Sequence, residues 1–445
     1  MVEPSVPAER WHPITRVLFR FGFVYLGVGT AGQWLVLALL RTFGAPHEWV
    51  VATWKWWALY PLNDWVAERV FGIETALSYA ETGSGDTVAH WVSTFTWLVV
   101  SVLIAAVWSV LDRRRWEYVR LHGWLRLVVR FALVASLLLY GVIKVLPSQM
   151  TFALYRLVQP FGDMSPMSVL WSQTAASEPY EIVLGCAEVA AALLLLVPVT
   201  STAGAVLAVV ALAQVFLVNL AYDVPVKIFS FHLLVLAALL LVPEARRLAA
   251  AFAGKAVLAR KAPPLLPSTR GTWALVAGQG LLGLWLVIAT VMEGWDAWHL
   301  YGNAREKSPL YGIWNVTEYS IAGQAIPALV STEPQPASPN LASERLRRII
   351  FDTQHGIHVQ RMDDSLLSLP ATVDPDGRTV TVTRDLQGQW KLADLTFERP
   401  TPERLLLVGQ LAGRSVRMHL ELVSLDRFRQ LNRGFHWVQE APYLL

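Results

Sequence analysis

Residues 203–243 read AGAVLAVVALAQVFLVNLAYDVPVKIFSFHLLVLAALLLVP, two apolar runs separated by a short polar segment. A helix of about 20 apolar residues crosses the roughly 30 Å of hydrocarbon in a bilayer. The two runs are close to that length, and the segment around their junction carries an amide, two opposite charges and an imidazole: Asn219, Asp223, Lys227 and His232. This stretch therefore predicts two membrane-spanning helices joined at a polar turn.

The rest of the chain has the composition of a membrane protein. Of its 445 residues, 54% are hydrophobic and 16% are charged, with a mean hydropathy of +0.41, whereas soluble domains average about 25% charged residues. We predict seven spans, near residues 21–40, 91–111, 124–146, 181–199, 203–221, 228–243 and 272–292. The N-terminal stretch leads into the first span without a small-residue cleavage site, so we expect no signal peptide.

The distribution of Lys and Arg predicts the orientation of these spans. With a cytoplasmic N-terminus, the inner segments carry 15 cations and the outer segments carry 5, namely Arg41, Lys55, Arg69, Arg156 and Lys227. We therefore expect the N-terminus inside and the C-terminus outside. Anchoring charges account for the pI of about 8.9, and no nucleic-acid partner is expected because no basic patch interleaved with aromatic residues accompanies them.

Composition also predicts four regions along the chain. They are N-terminal spans with a Trp-rich outer loop (1–123), a four-helix core (124–245), a basic cytoplasmic linker with the seventh span (246–292), and an extracytoplasmic β-domain (293–445). In the β-domain, short runs are separated by turn residues such as PDG at 375–377 and QG at 387–388. Residues 331–343, STEPQPASPNLAS, have the composition of a flexible loop.

The strands of the β-domain are expected to form an antiparallel barrel. In one run the apolar residues Val416, Met418, Leu420 and Leu422 alternate with polar ones, the pattern of a half-buried strand. Seven or eight such strands can close on themselves and so remove their exposed edges. The GIW at 312–314 resembles the Gly-x-Trp that opens lipocalin-like barrels. A barrel of this kind could hold an apolar ligand, cap a membrane cavity, or serve as a packed domain for protein contact.

Polar side chains recur in the predicted outer half of four spans. A charge near the bilayer centre costs about 2.5–3.5 kcal/mol, so such groups normally face the bundle interior and pair. We therefore predict one outward-opening polar pocket, in which Lys144 pairs with Glu188. The candidate residues are Lys144, Glu181, Glu188, Asn219, Tyr222, Asp223, Lys227 and His232. For Asp223 and Lys227, an interfacial turn around Pro225 is the alternative, with Lys227 extending toward water.

Two further residue types limit the chemistry. Cys186 is the single cysteine, which excludes intrachain disulfides, CxxC redox chemistry and four-cysteine zinc sites. His232 has no second histidine three or four residues away, so no metal is expected there.

Residues 47–74 contain five tryptophans, which indicate either an interfacial helix on the outer leaflet or an aromatic lid over a lipid or quinone pocket. The following GSGDT (83–87) predicts a turn.

Several of these segments resemble the DoxX-like family of bacterial multi-pass membrane proteins, in particular a larger branch of it. They are YGVIKVLPSQM (140–150), FGDMSPMSVLW (161–171), EIVLGCAEVAAALLLLVP (181–198), VNLAYDVPVKIFS (218–230) and HLLVLAALLLVPEARRL (232–248). The resemblance implies a four-helix unit over about 124–245, the bacterial inner membrane, and an association with thiol or sulfur-compound oxidation and with quinones. The wider superfamily includes the membrane domain of vitamin K-dependent carboxylases, in which a lysine similar in place to Lys144 is catalytic.

Two functions of different classes follow as hypotheses. The first is an accessory or scaffolding subunit of a membrane redox assembly, with a quinone or lipid in the outer pocket, membrane lipids around it and protein partners at the β-domain. The second is a stand-alone enzyme that acts on a lipid-soluble substrate with Lys144 or His232 as base. A transporter is disfavoured because the polar groups gather in one half of the membrane and no inverted repeat is visible.

Overall fold

The computed structural model describes residues 10–80, 82–257, 264–328, 345–385 and 390–443. The chain forms two compact units, one of Met1–Pro147 with Pro179–Asp296 and one of Ser148–Glu178 with Ala297–Leu445. The first unit is helical, and the second contains the strands. The predicted loop at 331–343 and the predicted QG turn at 387–388 lie outside the described residues.

Among the described residues, seven helices are long and apolar enough to cross a membrane, as the sequence predicted. They are α1 (Pro13–Thr42), α2 (Val88–Leu111), α3 (Val119–Val145), α4 (Glu178–Leu196), α5 (Ser201–Ala221), α6 (Lys227–Phe252) and α7 (Thr269–Leu300). Each overlaps one predicted span. The largest differences are at three helices. α1 begins at Pro13, where proline suits the first helical turn, α6 continues beyond Leu241 through a 3₁₀ turn, and α7 continues to Leu300.

The middle of α1 is wound as a π-helix from Phe23 to Gly32. π-Helical turns are rare in proteins, and those that occur are often found at functional sites. Between α1 and α2 the chain forms two shorter helices, His47–Trp57 and Tyr60–Phe71. We call residues 43–87, which join α1 to α2, the Trp-rich connection.

The core of the helical unit is built around α3, the most buried of the seven helices. Small side chains allow the helices to approach closely. The fully buried alanines Ala132, Ala191, Ala208 and Ala237, from α3, α4, α5 and α6, all belong to one apolar cluster. These four helices therefore share a core.

The second unit contains nine strands among its described residues. They are β1 (Lys307–Ile321), β2 (Gln324–Ala325), β3 (Leu346–Thr353), β4 (Gly356–Arg361), β5 (Leu366–Asp374), β6 (Thr379–Thr383), β7 (Lys391–Thr401), β8 (Arg404–Leu411) and β9 (Arg414–Leu422). Neighbouring strands pair antiparallel, and β9 pairs back with β1, so eight strands close into a barrel. The two-residue strand β2 pairs only with the end of β1. The predicted antiparallel barrel is confirmed.

The barrel contains a turn and a strand that the sequence predicted. The PDG turn joins β5 to β6, and the Asp374 carboxylate accepts from the backbone N–H of Asp376 and Gly377. In β9 the predicted apolar residues face inward. Strand β5 contains Pro370, although proline is normally excluded from paired strands; here it stands opposite Gly356 at the end of the β4 pairing.

Apolar side chains fill the inside of the barrel. Trp314 is fully buried there, and its indole N–H donates to the Leu310 carbonyl at 2.8 Å. Gly312 has a φ of +145°, and a Cβ at this position would lie 2.5 Å from Leu422 Cδ1. The glycine and tryptophan of GIW are therefore both required by the first strand, one for its backbone and the other for the core.

The segment Ser148–Glu178, between α3 and α4 in sequence, belongs to the barrel unit. Leu154 packs with Ile313 and Ile350 in a separate apolar cluster. Its backbone N–H donates to Asp352 at 3.1 Å, and Asp352 also accepts from Arg305 at 2.9 Å. The Leu154 bond and packing therefore tie the segment to β3, and the nearly buried ion pair with Arg305 holds the Asp352 carboxylate in place.

Candidate functional site

The helical unit contains a cavity of about 330 Å³, bounded by α1, α2, α3, α6 and the Trp-rich connection. This volume is within the range of roughly 300–1,000 Å³ that small-molecule sites occupy. Aromatic rings dominate its walls: Trp34, Trp54, Trp97, Tyr140 and Phe229. Hydroxyl, amide and imidazole groups from the helices and from the Trp-rich connection lie between these rings. A largely apolar ligand with one polar end fits such a cavity.

The polar end of the cavity is formed by Tyr25 and His232. The Tyr25 hydroxyl lies 2.9 Å from His232 Nε2, and His232 Nδ1 lies 2.7 Å from the Ile228 carbonyl oxygen. Because a carbonyl can only accept, Nδ1 carries the proton in the neutral ring and Nε2 accepts from the Tyr25 hydroxyl. The pair joins α1 to α6 and fixes one tautomer of His232.

The π-helical part of α1 places Tyr25 and Thr30 on the cavity wall. The Thr30 hydroxyl donates to the Tyr25 carbonyl at 3.0 Å, five residues earlier, which satisfies a backbone group in the widened turn. Phe21 stacks on the Tyr25 ring with centroids 5.6 Å apart. The orientation of Tyr25 is therefore set by the local helix geometry and by an aromatic neighbour.

His90, near the start of α2, also lines the cavity. Its Nδ1 lies 2.7 Å from the hydroxyl of Thr87, the residue that caps α2. The Trp54 ring lies 5.9 Å from the imidazole, centroid to centroid. A second imidazole is thus available at the cavity, on a helix other than that of His232.

The Trp-rich connection covers the cavity and is bonded to the helices beneath it. The Trp57 indole donates to the Val28 carbonyl at 3.1 Å, and Trp97 from α2 donates to the Trp57 carbonyl at 2.8 Å. Trp54 faces the cavity, whereas Trp56 is largely exposed. The connection therefore has one aromatic face over the cavity and another that is exposed.

Two tyrosines of this connection stack at the cavity. The rings of Tyr60 and Tyr79 have centroids 3.4 Å apart, and the Tyr79 hydroxyl donates to Asp64 Oδ1 at 3.3 Å. Burial, together with the negative charge of Asp64, raises the pKa of Tyr79 to about 12. Burial also raises the pKa of Tyr60, and Tyr79 and Asp64 add to this effect. Both hydroxyls therefore stay protonated at neutral pH.

The GSGDT turn docks on the polar segment between α5 and α6. The Gly85 N–H donates to the Pro225 carbonyl at 2.7 Å. The Asp86 carboxylate accepts from the backbone N–H of Lys227 at 2.7 Å and of Ile228 at 3.0 Å. These bonds join two loops that are far apart in the sequence.

Asp86 also meets the charge of the first residue of α6. The Lys227 ammonium lies 3.6 Å from the Asp86 carboxylate and 2.8 Å from that of Asp223. The Asp86 side chain is 9% exposed, whereas that of Asp223 is 80% exposed. Asp86 thus caps α6 from a different part of the chain and is the better shielded of the two partners of Lys227.

Loss of this cap is expected to destabilise the helical unit. Asp86→Ala should lower the free energy of unfolding by about 2 kcal/mol, the upper end of the effect of a helix cap, because it removes the carboxylate acceptor of two backbone N–H groups and an ion pair. Asp223→Asn, which suits the left-handed φ of 51°, should cost less than about 1 kcal/mol. Thermal unfolding in detergent measures both, and equal losses would contradict the capping role.

Lys144 and Glu188 form a buried ion pair between α3 and α4. Lys144 Nζ lies 2.9 Å from Oε1 and 2.8 Å from Oε2 of Glu188, and both side chains are more than nine-tenths buried. The helices approach closely here, since a Cβ on Gly185 would lie 2.6 Å from the Gly141 carbonyl oxygen and 2.7 Å from Lys144 Cβ. The structure thus has the pairing that the sequence predicted.

The other predicted residues are distributed over several places. Asn219 donates to the Ser230 hydroxyl at 3.0 Å, which joins α5 to α6. Glu181 is fully buried in α4, and Tyr222 is half-buried at the end of α5. Among all eight candidates, His232 is the one on the cavity wall.

The cavity therefore differs in composition from the predicted polar pocket. It is mainly aromatic, and Tyr25 and His90 are among its unpredicted polar residues. The predicted charges instead lie in the ion pair between α3 and α4 and at the turn before α6. The physical reason is that buried charges are satisfied by pairing with each other, which removes them from a space that a ligand could fill.

Signals for the missed residues were weak. Tyr25 lies in an apolar span, where a tyrosine has the same pattern as a packing residue. His90 lies at the edge of the second predicted span, and its polar neighbours Thr87, Ser93 and Thr94 fit an ordinary helix start as well as a site. Asp86 lies in a turn that the sequence did predict, but its contact is with a segment 141 residues away. Within the described part of the chain, no cluster of three or more His, Cys, Asp or Glu side chains could hold a metal ion.

Comparisons with known proteins give one distant similarity. The chain is 28% identical over 127 residues to the uncharacterized protein YwoB of Bacillus subtilis (strain 168), an alignment that covers 26% of this chain and 75% of that protein. No family model matches the chain. No solved structure gives a significant match either.

Proposed function

We propose that this chain is a DoxX-like, multi-pass protein of the bacterial inner membrane that binds a quinone or lipid in the cavity beneath the Trp-rich connection. The observation that carries the proposal is the cavity itself: about 330 Å³, walled by aromatic rings, with the Tyr25–His232 pair at its polar end. Aromatic walls bind a flat or apolar ligand, and a few fixed polar groups orient its head. Quinones and lipids have this chemistry.

The proposed orientation places the N-terminus in the cytoplasm and the barrel in the periplasm or outside the cell. The excess of Lys and Arg on one set of connecting segments supports it. In this orientation the cavity lies in the outer half of the membrane, because it is lined by the late part of α1 and the early parts of α2 and α6.

We also propose a lipocalin-like relationship for the barrel, supported by the buried Trp314 and the positive φ of Gly312 in the first strand.

The role that we propose is that of an accessory or scaffolding subunit in a membrane redox assembly. Apolar side chains fill the barrel, so its outer surface is the part available for contact. Near the C-terminus, Phe435, Trp437 and Val438 are each at least three-quarters exposed. Large exposed apolar groups that lie together commonly mark a contact with protein or membrane. A partner protein would cover them.

Gentle purification from the native membrane tests this role. We expect other membrane subunits to co-purify in stoichiometric amounts, identified by mass spectrometry of the intact assembly. Replacing Phe435, Trp437 and Val438 together by serine should release them, whereas serine at Trp390 and Val408, exposed apolar residues of the same unit, should not. A solitary protein in mild detergent would contradict the accessory role.

A second candidate function is a stand-alone enzyme with His232 as base. His232 Nε2 accepts from Tyr25, which lines the cavity, so a proton could pass from a bound substrate through the hydroxyl to the imidazole. Lys144 fits this role less well, since its ammonium is paired with Glu188 and is not on the cavity wall. Activity on a lipid-soluble substrate by the solitary protein, abolished in His232→Leu, would favour this function.

A further inference from the structure

Around Tyr25, the protein determines whether a bound ligand can donate or accept a hydrogen bond. Seven lining residues carry hydroxyl groups: Tyr25, Thr30, Tyr60, Tyr79, Ser93, Thr94 and Tyr140. Five of these hydroxyls donate their proton to another group of the protein, namely Tyr25 to His232, Thr30 to the Tyr25 carbonyl, Tyr79 to Asp64, Ser93 to the Ala58 carbonyl and Thr94 to the His90 carbonyl. A hydroxyl that has donated its proton has only lone pairs left for a ligand. The buried Tyr60 hydroxyl has no partner among the described residues and keeps its proton to donate elsewhere in the cavity.

Tyr25 is the clearest case, because its partner cannot donate in return. The Ile228 carbonyl holds the proton of the neutral His232 ring on Nδ1. The Nε2 lone pair therefore requires the Tyr25 proton, and the Tyr25 oxygen offers acceptor sites to the cavity. A ligand carbonyl placed here could not form a hydrogen bond, because the carbonyl oxygen and the Tyr25 oxygen would both be acceptors. A ligand hydroxyl would instead complete a chain from ligand to Tyr25 to His232 to Ile228.

We infer that the cavity selects the reduced, hydroxyl-bearing form of a quinone-type ligand over the oxidised carbonyl form. The inference rests on the proposed function and makes its ligand class more specific. The aromatic walls, including Trp34 and Trp54, are equally suited to both rings, so shape does not distinguish the two forms. The two forms differ in the direction of the hydrogen bond at Tyr25. The carbonyl form would leave a buried polar group without a partner there, and this cost exceeds the net gain from a typical hydrogen bond.

Duroquinol and duroquinone are suitable probes because they differ in the two groups at issue and have no tail. Binding to the purified full chain is measured anaerobically by isothermal titration calorimetry. We expect duroquinol to bind about tenfold more tightly, the ratio that corresponds to one hydrogen bond of about 1.4 kcal/mol. In Tyr25→Phe the ratio should fall to near one. In His232→Leu, the Tyr25 proton is free to point into the cavity, so the preference should reverse toward duroquinone.

Tyr222→Phe is the matched control, because it removes a tyrosine hydroxyl from the helical unit at a position that does not line the cavity. It should retain the wild-type ratio. Equal binding of the two probes, or a preference that His232→Leu does not change, overturns the inference while leaving a ligand cavity in place. Failure of both probes to bind overturns it as well, whereas the proposed function fails only if the purified protein also retains no quinone or lipid.

Discussion

Glu188→Ala is expected to lower the free energy of unfolding by about 3–5 kcal/mol, because it leaves the buried Lys144 ammonium without its counter-charge. Both side chains are more than nine-tenths buried, and the closest approach is 2.8 Å. Water cannot readily replace the lost carboxylate at this depth. The measurement is equilibrium unfolding of the purified protein in mixed micelles.

Double variants separate the pair from its individual residues. Lys144→Met with Glu188→Leu removes both charges and keeps apolar volume, and buried pairs replaced in this way often recover their stability. The charge swap Lys144→Glu with Glu188→Lys should likewise be more stable than Lys144→Glu alone. Either double variant that loses the full sum of its single losses would contradict a direct pairing.

An exposed pair on the same unit provides the matched control. Arg41 and Glu293 lie 3.2 Å apart, with side chains 45% and 42% exposed. Glu293→Ala should therefore cost no more than about 1 kcal/mol, the usual limit for a surface pair. Equal losses of unfolding free energy in Glu188→Ala and Glu293→Ala would contradict the claim that burial makes the Lys144–Glu188 pair costly to break.

The helices and the barrel could be predicted because each follows a strong physical constraint. Hydrocarbon requires long apolar runs with internally satisfied backbones, and these runs remain visible in the sequence from α1 to α7. In the barrel, the inward and outward faces alternate with a period of two, as in β9. Strand β5 contains Pro370, a local signal against a strand, yet it pairs with the preceding strand β4 across a short turn.

The candidate site was predictable only where burial leaves little choice. Two opposite charges in the core of a helix bundle must pair, so Lys144 and Glu188 could be matched from their positions alone. The cavity has no comparable signature in the sequence. Its walls come from four helices and a connection, and its polar end depends on a π-helical turn that brings Tyr25 to His232. No spacing rule for an ordinary helix predicts that contact.

The largest expected effect on binding comes from filling the cavity. Ser93 lines it, and its hydroxyl donates to the Ala58 carbonyl at 3.2 Å. Phenylalanine at this position would occupy space that a ligand ring needs. Ser109 is a matched control on the same helix, since its hydroxyl also donates to a backbone carbonyl, that of Ala105, and it does not line the cavity. Ser93→Phe should therefore lose the ligand, and Ser109→Phe should keep it.

The most direct test of the account is to extract the purified protein with organic solvent and identify the released small molecules by mass spectrometry. We expect wild type and Ser109→Phe to release a quinone or a specific lipid in a near-stoichiometric amount, and Ser93→Phe to release less than about a tenth of it, since overpacking a filled site costs about 1–3 kcal/mol. The same release from all three proteins, or none from wild type, would contradict a ligand-binding cavity.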